Sequence, residues 1–273
     1  MIEAILTYNY MENAFLASIL ASIIAGIMGA IIVEKKLVSM SGGIAHSSFG
    51  GIGAGYFFGI EPIVGGLIFA VLASLSVGGI KRKTGSNADA IVNMFWSGGM
   101  AMGIMFIALT PGYPPDMTSY LFGDILTVND FYLRLMAVLA LIVVLVILGL
   151  FNYWKIYLFD EQYAMIMGIK IRVLEFILYT LMALSIVILI KVVGVILSIA
   201  MLSIPPAIAR QMTNRLRNMM GISVLLGLVF SFSGLTLSYY LDIPSGATII
   251  LVAILGYFIA VGGKIFGKRR EIE

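Results

Sequence analysis

The side chain with the widest chemical reach in this sequence is its only histidine, His46. A neutral imidazole ligates transition metals through either ring nitrogen, and it takes up a proton near neutral pH. His46 stands in Ser41-Gly42-Gly43-Ile44-Ala45-His46-Ser47-Ser48-Phe49-Gly50-Gly51, a run that continues to Gly53, Gly55 and Gly59. Ser47, Gly51, Gly55 and Gly59 recur every fourth residue, so on a helix they form one thin stripe against which another helix can pack closely. The stripe reads as packing. His46 beside it reads two ways: as a ligand lining a polar pathway, or as a histidine hydrogen-bonded to a neighbouring helix.

Two further faces combine small and polar residues. Asn93, Ser97 and Ala101, with Gly99 and Gly103, make one; Ser223, Gly227, Ser231, Gly234 and Ser238 make the other. Helix–helix hydrogen bonding accounts for both, and Asn93, Ser97, Ser231 and Ser238 are also the candidate lining of a wet pathway. In Ser203-Ile204-Pro205-Pro206 two prolines remove two backbone donors, which reads as a helix end, with a hinge as the alternative. The segment from Asp160 and Glu161 through Ala164 to Gly168 opens on acidic residues and closes on glycine, the marks of a short helix. Ala164, Met165 and Met167 give it an apolar middle, expected to be buried. A phosphate-binding Gly-x-x-x-x-Gly-Lys-Ser/Thr loop and a His-Glu-x-x-His pair are both missing from the sequence, so neither P-loop nucleotide binding nor a zinc-protease centre is expected. With no cysteine, thiolate-ligated zinc and iron–sulfur sites are excluded too. No catalytic residue and no tightly bound cofactor are expected.

The elements that carry these residues follow from composition. Of 273 residues, 61% are hydrophobic and 11% charged, against about 45–50% and about 25% in soluble domains; the mean hydropathy is +1.07. A soluble fold cannot hide that much apolar surface, and disorder needs the opposite composition. The chain is an all-α polytopic membrane protein forming a single transmembrane domain over 1–273. Apolar runs of bilayer-crossing length fall at 13–33, 43–60, 62–80, 91–110, 131–151, 172–190, 192–209, 217–237 and 244–263. Glu61-Pro62 barely divides the second from the third and Lys191 alone divides the sixth from the seventh, so eight or nine spans are expected. With nine crossings and residue 1 outside, 15 of the 17 basic residues fall inside, leaving Arg134 and Lys191 outside. The positive-inside bias therefore sets the N-terminus outside and the C-terminus in the cytoplasm. Glu3 and Glu12 stand where a cleavable signal would be basic, so the first span is expected to stay in the membrane. Trp96 and Trp154 read as interfacial anchors, Ser86-Asn87-Ala88-Asp89 as a capping box, and Thr118–Leu126 as a short outer helix. Nothing points to nucleic acid.

Several stretches, in order, resemble the membrane permease subunits of ABC importers for zinc, manganese and iron. They are Gly-Ile-Ala-His46-Ser-Ser-Phe-Gly-Gly, Asp89-Ala90-Ile91, Ser119-Tyr-Leu-Phe-Gly-Asp-Ile-Leu126 and Phe159-Asp160 through Gly168. Val193-Gly-Val-Ile-Leu197 through Pro205-Pro206-Ala207, and Leu237-Ser-Tyr-Tyr-Leu-Asp-Ile-Pro-Ser-Gly-Ala-Thr248, complete the set. The resemblance implies a type II ABC importer-like permease in the plasma (inner) membrane, with a translocation pathway between two copies of the chain. It implies a separate cytoplasmic ATP-binding subunit, which does the ATP hydrolysis, and an extracytoplasmic metal-binding protein. It implies coupling through the short helix of Asp160, Glu161, Ala164 and Gly168, and a transported divalent metal ion met by His46. Family members commonly carry Asp four residues before this histidine; here Gly42 stands there. The alternatives are a permease of the same architecture for a metal chelate, for which 273 residues is short, and a secondary cation transporter. The latter needs carboxylates within its spans, whereas here they sit at span ends.

Because the chain has no cysteine, its topology is directly testable. Single cysteines at Ser86 and Glu273 are expected to stay unlabelled by an impermeant maleimide in intact cells and to react after permeabilisation. Labelling from outside would invert the topology.

Overall fold

The computed structural model describes residues 8–84, 88–112, 123 and 125–270. Nine long helices correspond to the nine apolar runs: α1 (Asn9–Glu34), α2 (Val38–Phe58), α3 (Pro62–Thr84), α4 (Ala88–Leu109), α5 (Asp130–Gly149), α8 (Ile171–Val193), α9 (Val195–Met212), α10 (Leu216–Leu241) and α11 (Ser245–Arg270). Two short helices, α6 (Phe151–Phe159) and α7 (Glu161–Ile166), lie between α5 and α8. The expected capping box lies partly outside the described residues, as does most of the expected Thr118–Leu126 helix, whose last two residues belong to a single 3-10 turn, Ile125–Thr127.

Eight of the nine long helices are apolar enough to cross a membrane by length and composition; the exception is α2. Its glycines and serines lower its hydropathy, yet most of it, from Met40 to Gly55, is buried inside the chain. A helix screened from lipid by its neighbours needs no greasy surface. Contacts at its two ends place those ends on opposite faces of the bundle. Lys35, just before α2, donates to the Glu161 carboxylate at 2.9 Å. Glu61, just after it, accepts from the Tyr132 hydroxyl at 3.3 Å. Tyr132 and Glu161 are held apart by the 20 residues of α5, about 30 Å of helix. The same two faces recur throughout. Arg82 pairs with Glu175 at 2.6 Å and Arg210 with Glu34 on the face of Lys35. Asn13 donates to the Asp130 carboxylate at 3.0 Å, and the Lys191 ammonium lies 5.2 Å from the Tyr132 ring centre, on the face of Glu61.

Glycine contacts set how closely the helices run. A Cβ on Gly51 would strike the carbonyl of Gly65, and one on Gly55 would lie 2.7 Å from Pro62 Cα, joining α2 to α3 antiparallel. Gly43 meets Val92, Gly50 meets Gly99 and Gly53 meets Gly103, joining α2 to α4 parallel. Gly26 meets Val224 and Gly234 meets Ile249, which bind α10 to α1 and α11.

Three local expectations are corrected. Pro205 and Pro206 lie inside α9, which runs on to Met212. Pro206 leaves the Leu202 carbonyl without its helical donor, and a Cβ on Gly29 of α1 would lie 2.5 Å from that oxygen. The tight packing of α1 on this face carries the helix past its prolines. The break between α8 and α9 is at Gly194, with φ +84°, and Lys191 sits within the last turn of α8. Trp154 is no interfacial anchor: it is fully buried, and its indole N–H donates to the Val146 carbonyl at 3.4 Å.

Overpacking the glycine contacts should be costly. Gly51→Leu is expected to lower the stability of the detergent-solubilised protein by at least about 2 kcal/mol. Gly79→Leu, on an exposed helix surface with open space around its Cβ, is expected to leave it nearly unchanged. Thermal melting followed by size-exclusion chromatography separates the two.

A candidate ion pathway at His46 and a candidate docking helix on the basic face

The glycine seam between α2 and α4 decides where His46 goes. Gly43–Val92 lies on one side of it, and Ser47 and Gly50 against Gly99 on the other. Backbones this close bring the side chains at the edge of the seam side by side. The imidazole of His46 stacks on the indole of Trp96, with ring centres 4.3 Å apart and planes within 4°. Its Nδ1 is buried and has no hydrogen-bond partner. On α4, Trp96 is 41% exposed, and Asn93 and Ser97 are exposed beside it. The Ser97 hydroxyl donates to the Asn93 carbonyl at 2.9 Å, which spends its proton and leaves the oxygen as an acceptor.

One helical turn before His46, a Cβ on Gly42 would meet nothing within 4 Å, so a side chain fits there. Among the described residues no three His, Cys, Asp or Glu come together to hold a metal ion. The chain by itself therefore offers one imidazole, one amide and one hydroxyl along this face, fewer donors than a divalent transition metal takes. Ser231 and Ser238 are elsewhere. Both are buried on α10, which packs on α1, α9 and α11, and Ser238 donates to the Ile243 carbonyl at 2.6 Å. The structure does not bring them to His46.

The second candidate site is α7. Asp160 caps it, its carboxylate accepting the Tyr163 N–H at 2.8 Å, and Gly168 ends the segment with φ +74°, where a larger residue is strained. Ala164 is fully buried. Met165 and Met167, expected inside, are exposed, and with Phe159, Tyr163 and Ile166 (82% exposed) they form an apolar ridge. Six residues make fewer than two helical turns, too short a helix to bury more than one small side chain.

Lys35 holds this ridge to the bundle. Its ammonium bonds Glu161 at 2.9 Å and lies 3.9 Å from the Tyr157 ring centre. The Tyr157 hydroxyl donates to Glu175 at 3.5 Å, which also receives Arg82. Burial, reinforced by the Glu175 carboxylate, pushes the Tyr157 phenol well above its usual range, so it stays a neutral donor. These partners were invisible in the sequence, because 126 residues separate Lys35 from Glu161 and 93 separate Arg82 from Glu175. Trp96 was missed for another reason: a tryptophan in a membrane helix reads first as an anchor.

Comparison with known proteins gives a consistent result. The family described as the ABC 3 transport family matches residues 7–264. A probable metal transport system membrane protein of Chlamydia pneumoniae is 37% identical over 249 residues, covering 89% of this chain and 85% of its own. The manganese transport system membrane protein MntC of Listeria monocytogenes is 28% identical over 276 residues, covering 99% and 98%. Among solved structures, PsaBC from Streptococcus pneumoniae in complex with Fab matches with a TM-score of 0.85 at 28% identity, over 95% of this chain and 93% of that one.

The open space at Gly42 makes a specific prediction. Gly42→Asp should melt like the parent protein, and by adding a carboxylate one turn from His46 it should tighten zinc retention about tenfold or more, about 1.4 kcal/mol. Equilibrium binding of radioactive zinc to the purified chain measures it.

Proposed function

The chain belongs to the ABC 3 transport family, and on that premise we propose that it forms the membrane pathway of an ATP-driven importer for a divalent transition-metal ion. Manganese and zinc are the leading cargoes and iron is the third. Relatives named for metal and manganese transport support this. The observation that carries it is His46: the sole imidazole, inside a membrane helix, with one ring nitrogen unpartnered.

One chain supplies too few donors, and a second copy related by a two-fold axis doubles them. The polar face of Asn93 and Ser97 then lines the seam between copies. A site of imidazole, amide, hydroxyl and water binds a divalent ion weakly, which suits a conduit that must also release it. Tight selection then belongs to an extracytoplasmic metal-binding protein docking on the face of Glu61 and Asp130. On the opposite, basic face, the apolar ridge of α7 suits the groove of a cytoplasmic ATP-binding subunit. Asp160 and Gly168 shape that helix and Glu161 ties it to Lys35, so movement of the ATPase reaches α1 and, through Tyr157 and Glu175, α8 and α3. The density of Lys and Arg on this face supports placing it in the cytoplasm of a plasma-membrane protein, with the N-terminus outside. The chain itself is a transport subunit, with ATP hydrolysis on its partner.

Proteoliposomes holding the chain, its ATPase and its binding protein test the reading. His46→Ala is expected to reduce ATP-dependent uptake of radioactive manganese or zinc more than about tenfold, the loss of about 1.4 kcal/mol of ligand interaction. Dimer assembly and basal ATP hydrolysis should be unchanged. Uptake equal to the parent's would leave the pathway to hydroxyls, amides and water. Uptake of chelated but not free metal, or uptake driven by an ion gradient without ATP, would replace the proposal with one of the alternatives.

A further inference from the structure

We infer that Trp96 is a positioning residue for the transported ion: its indole holds the His46 imidazole in a fixed orientation and favours the metal-bound form of that ring. The inference rests on the proposed metal pathway at His46 and adds to it a role for a residue outside the ligand set.

The geometry is specific. Two planar rings on different helices lie 4.3 Å apart and 4° from parallel, flanked by the close contacts of Gly43 with the Val92 side chain and of Gly50 with the Gly99 carbonyl. A histidine in a transmembrane helix ordinarily spends its nitrogens on hydrogen bonds to neighbouring helices. Here Nδ1 has no such bond, so the stack, rather than a hydrogen bond, sets the ring's orientation. A stack is well suited to this. Metal coordination takes place in the plane of the imidazole, at a nitrogen lone pair, so an indole lying over the ring face does not itself block the coordinating edge; with Nδ1 buried, the ligating role falls to Nε2. The stack also removes the rotational freedom that binding would otherwise have to freeze.

The electronic effect has the same sign. Coordination to a divalent ion withdraws charge from the imidazole, and an electron-rich indole face attracts an electron-poor ring, as it attracts a cation. An aromatic pair is worth about 0.5–1.5 kcal/mol in all beyond its buried area; only the part gained on metal binding raises affinity, which sets a ceiling of about tenfold. The exposure of Trp96 on its other side fits this role, since a residue serving only as core would be covered. Trp154, the second of the two tryptophans, is such a core residue and serves as the internal control.

The chain labelled with 5-fluorotryptophan and purified with its ATPase in lipid nanodiscs carries two ¹⁹F resonances. Zinc is expected to shift the Trp96 resonance saturably and leave Trp154 in place, and the shift should vanish in His46→Ala. In equilibrium binding with radioactive zinc, Trp96→Ala should lose affinity by up to about tenfold, and Trp96→Phe, which keeps a ring over the imidazole, should lose less. Zinc uptake by the parent with an unmoved Trp96 resonance and unchanged binding by Trp96→Ala would overturn the positioning role while the transport reading stands. No uptake of free zinc, manganese or iron by the parent would overturn both.

Discussion

The close approach of α2 to α3 and α4 is the constraint on which the site depends. Gly51 against Gly65 and Gly50 against Gly99 put helix backbones where any side chain would clash. Without a hydrophobic drive between helices in lipid, such packing supplies much of the association. It also explains why a helix with so many glycines and serines can sit in a membrane at all. α2 is enclosed, so its neighbours meet the lipid and its own residues are free to be small and polar. His46 and Trp96 are brought into register by the same contacts. The site thus rests on the packing: the contacts that hold α2 against α4 also set the two rings face to face.

On the face that carries Lys35, Arg82 and Arg210, a second set of interactions joins helices that packing alone would leave independent. Lys35 reaches from the end of α1 to Glu161 of α7, Arg82 from α3 to Glu175 of α8, and Arg210 from α9 to Glu34 of α1. Exposed ion pairs add little to stability, and these are partly exposed. Their arrangement matters more than their energy. The short helix α7, with its ridge of Phe159, Tyr163, Met165, Ile166 and Met167, is attached to three long helices through charged and aromatic contacts that can shift without unfolding anything. That is the mechanical property a docking element needs if a force applied to it is to reach the membrane.

Much of this was legible in the sequence, and what was not has physical reasons. All nine long helices follow from apolar runs cut by charges. The weak joint at Glu61-Pro62 is a true break, opened by the positive φ of Gly59, whereas the one expected at Lys191 falls three residues later, at Gly194. The capped helix at Asp160–Gly168 follows from its own end signals, whereas the exposure of Met165 and Met167 does not, since periodicity cannot distinguish a face turned to the bundle from one turned to a partner. Pro205-Pro206 failed as a stop signal because the tight packing of α1 on α9 through Gly29 outweighs the two missing hydrogen bonds. Ser231 and Ser238 carry the same small-and-polar pattern as Asn93 and Ser97, yet only the second pair shares a face with His46. Pattern identifies a narrow helix face, and tertiary packing alone decides which helix fills it.

In the proposed mechanism the ion meets His46 from two copies of the chain, in a site that no single copy completes. Zinc-edge X-ray absorption on the purified, zinc-loaded permease, carrying an affinity tag free of histidine, tests it most directly. The account predicts a shell of nitrogen and oxygen at about 2.0–2.1 Å, with the outer-shell scattering of two imidazoles per zinc. A first shell of oxygen alone, with no imidazole signature, would contradict it.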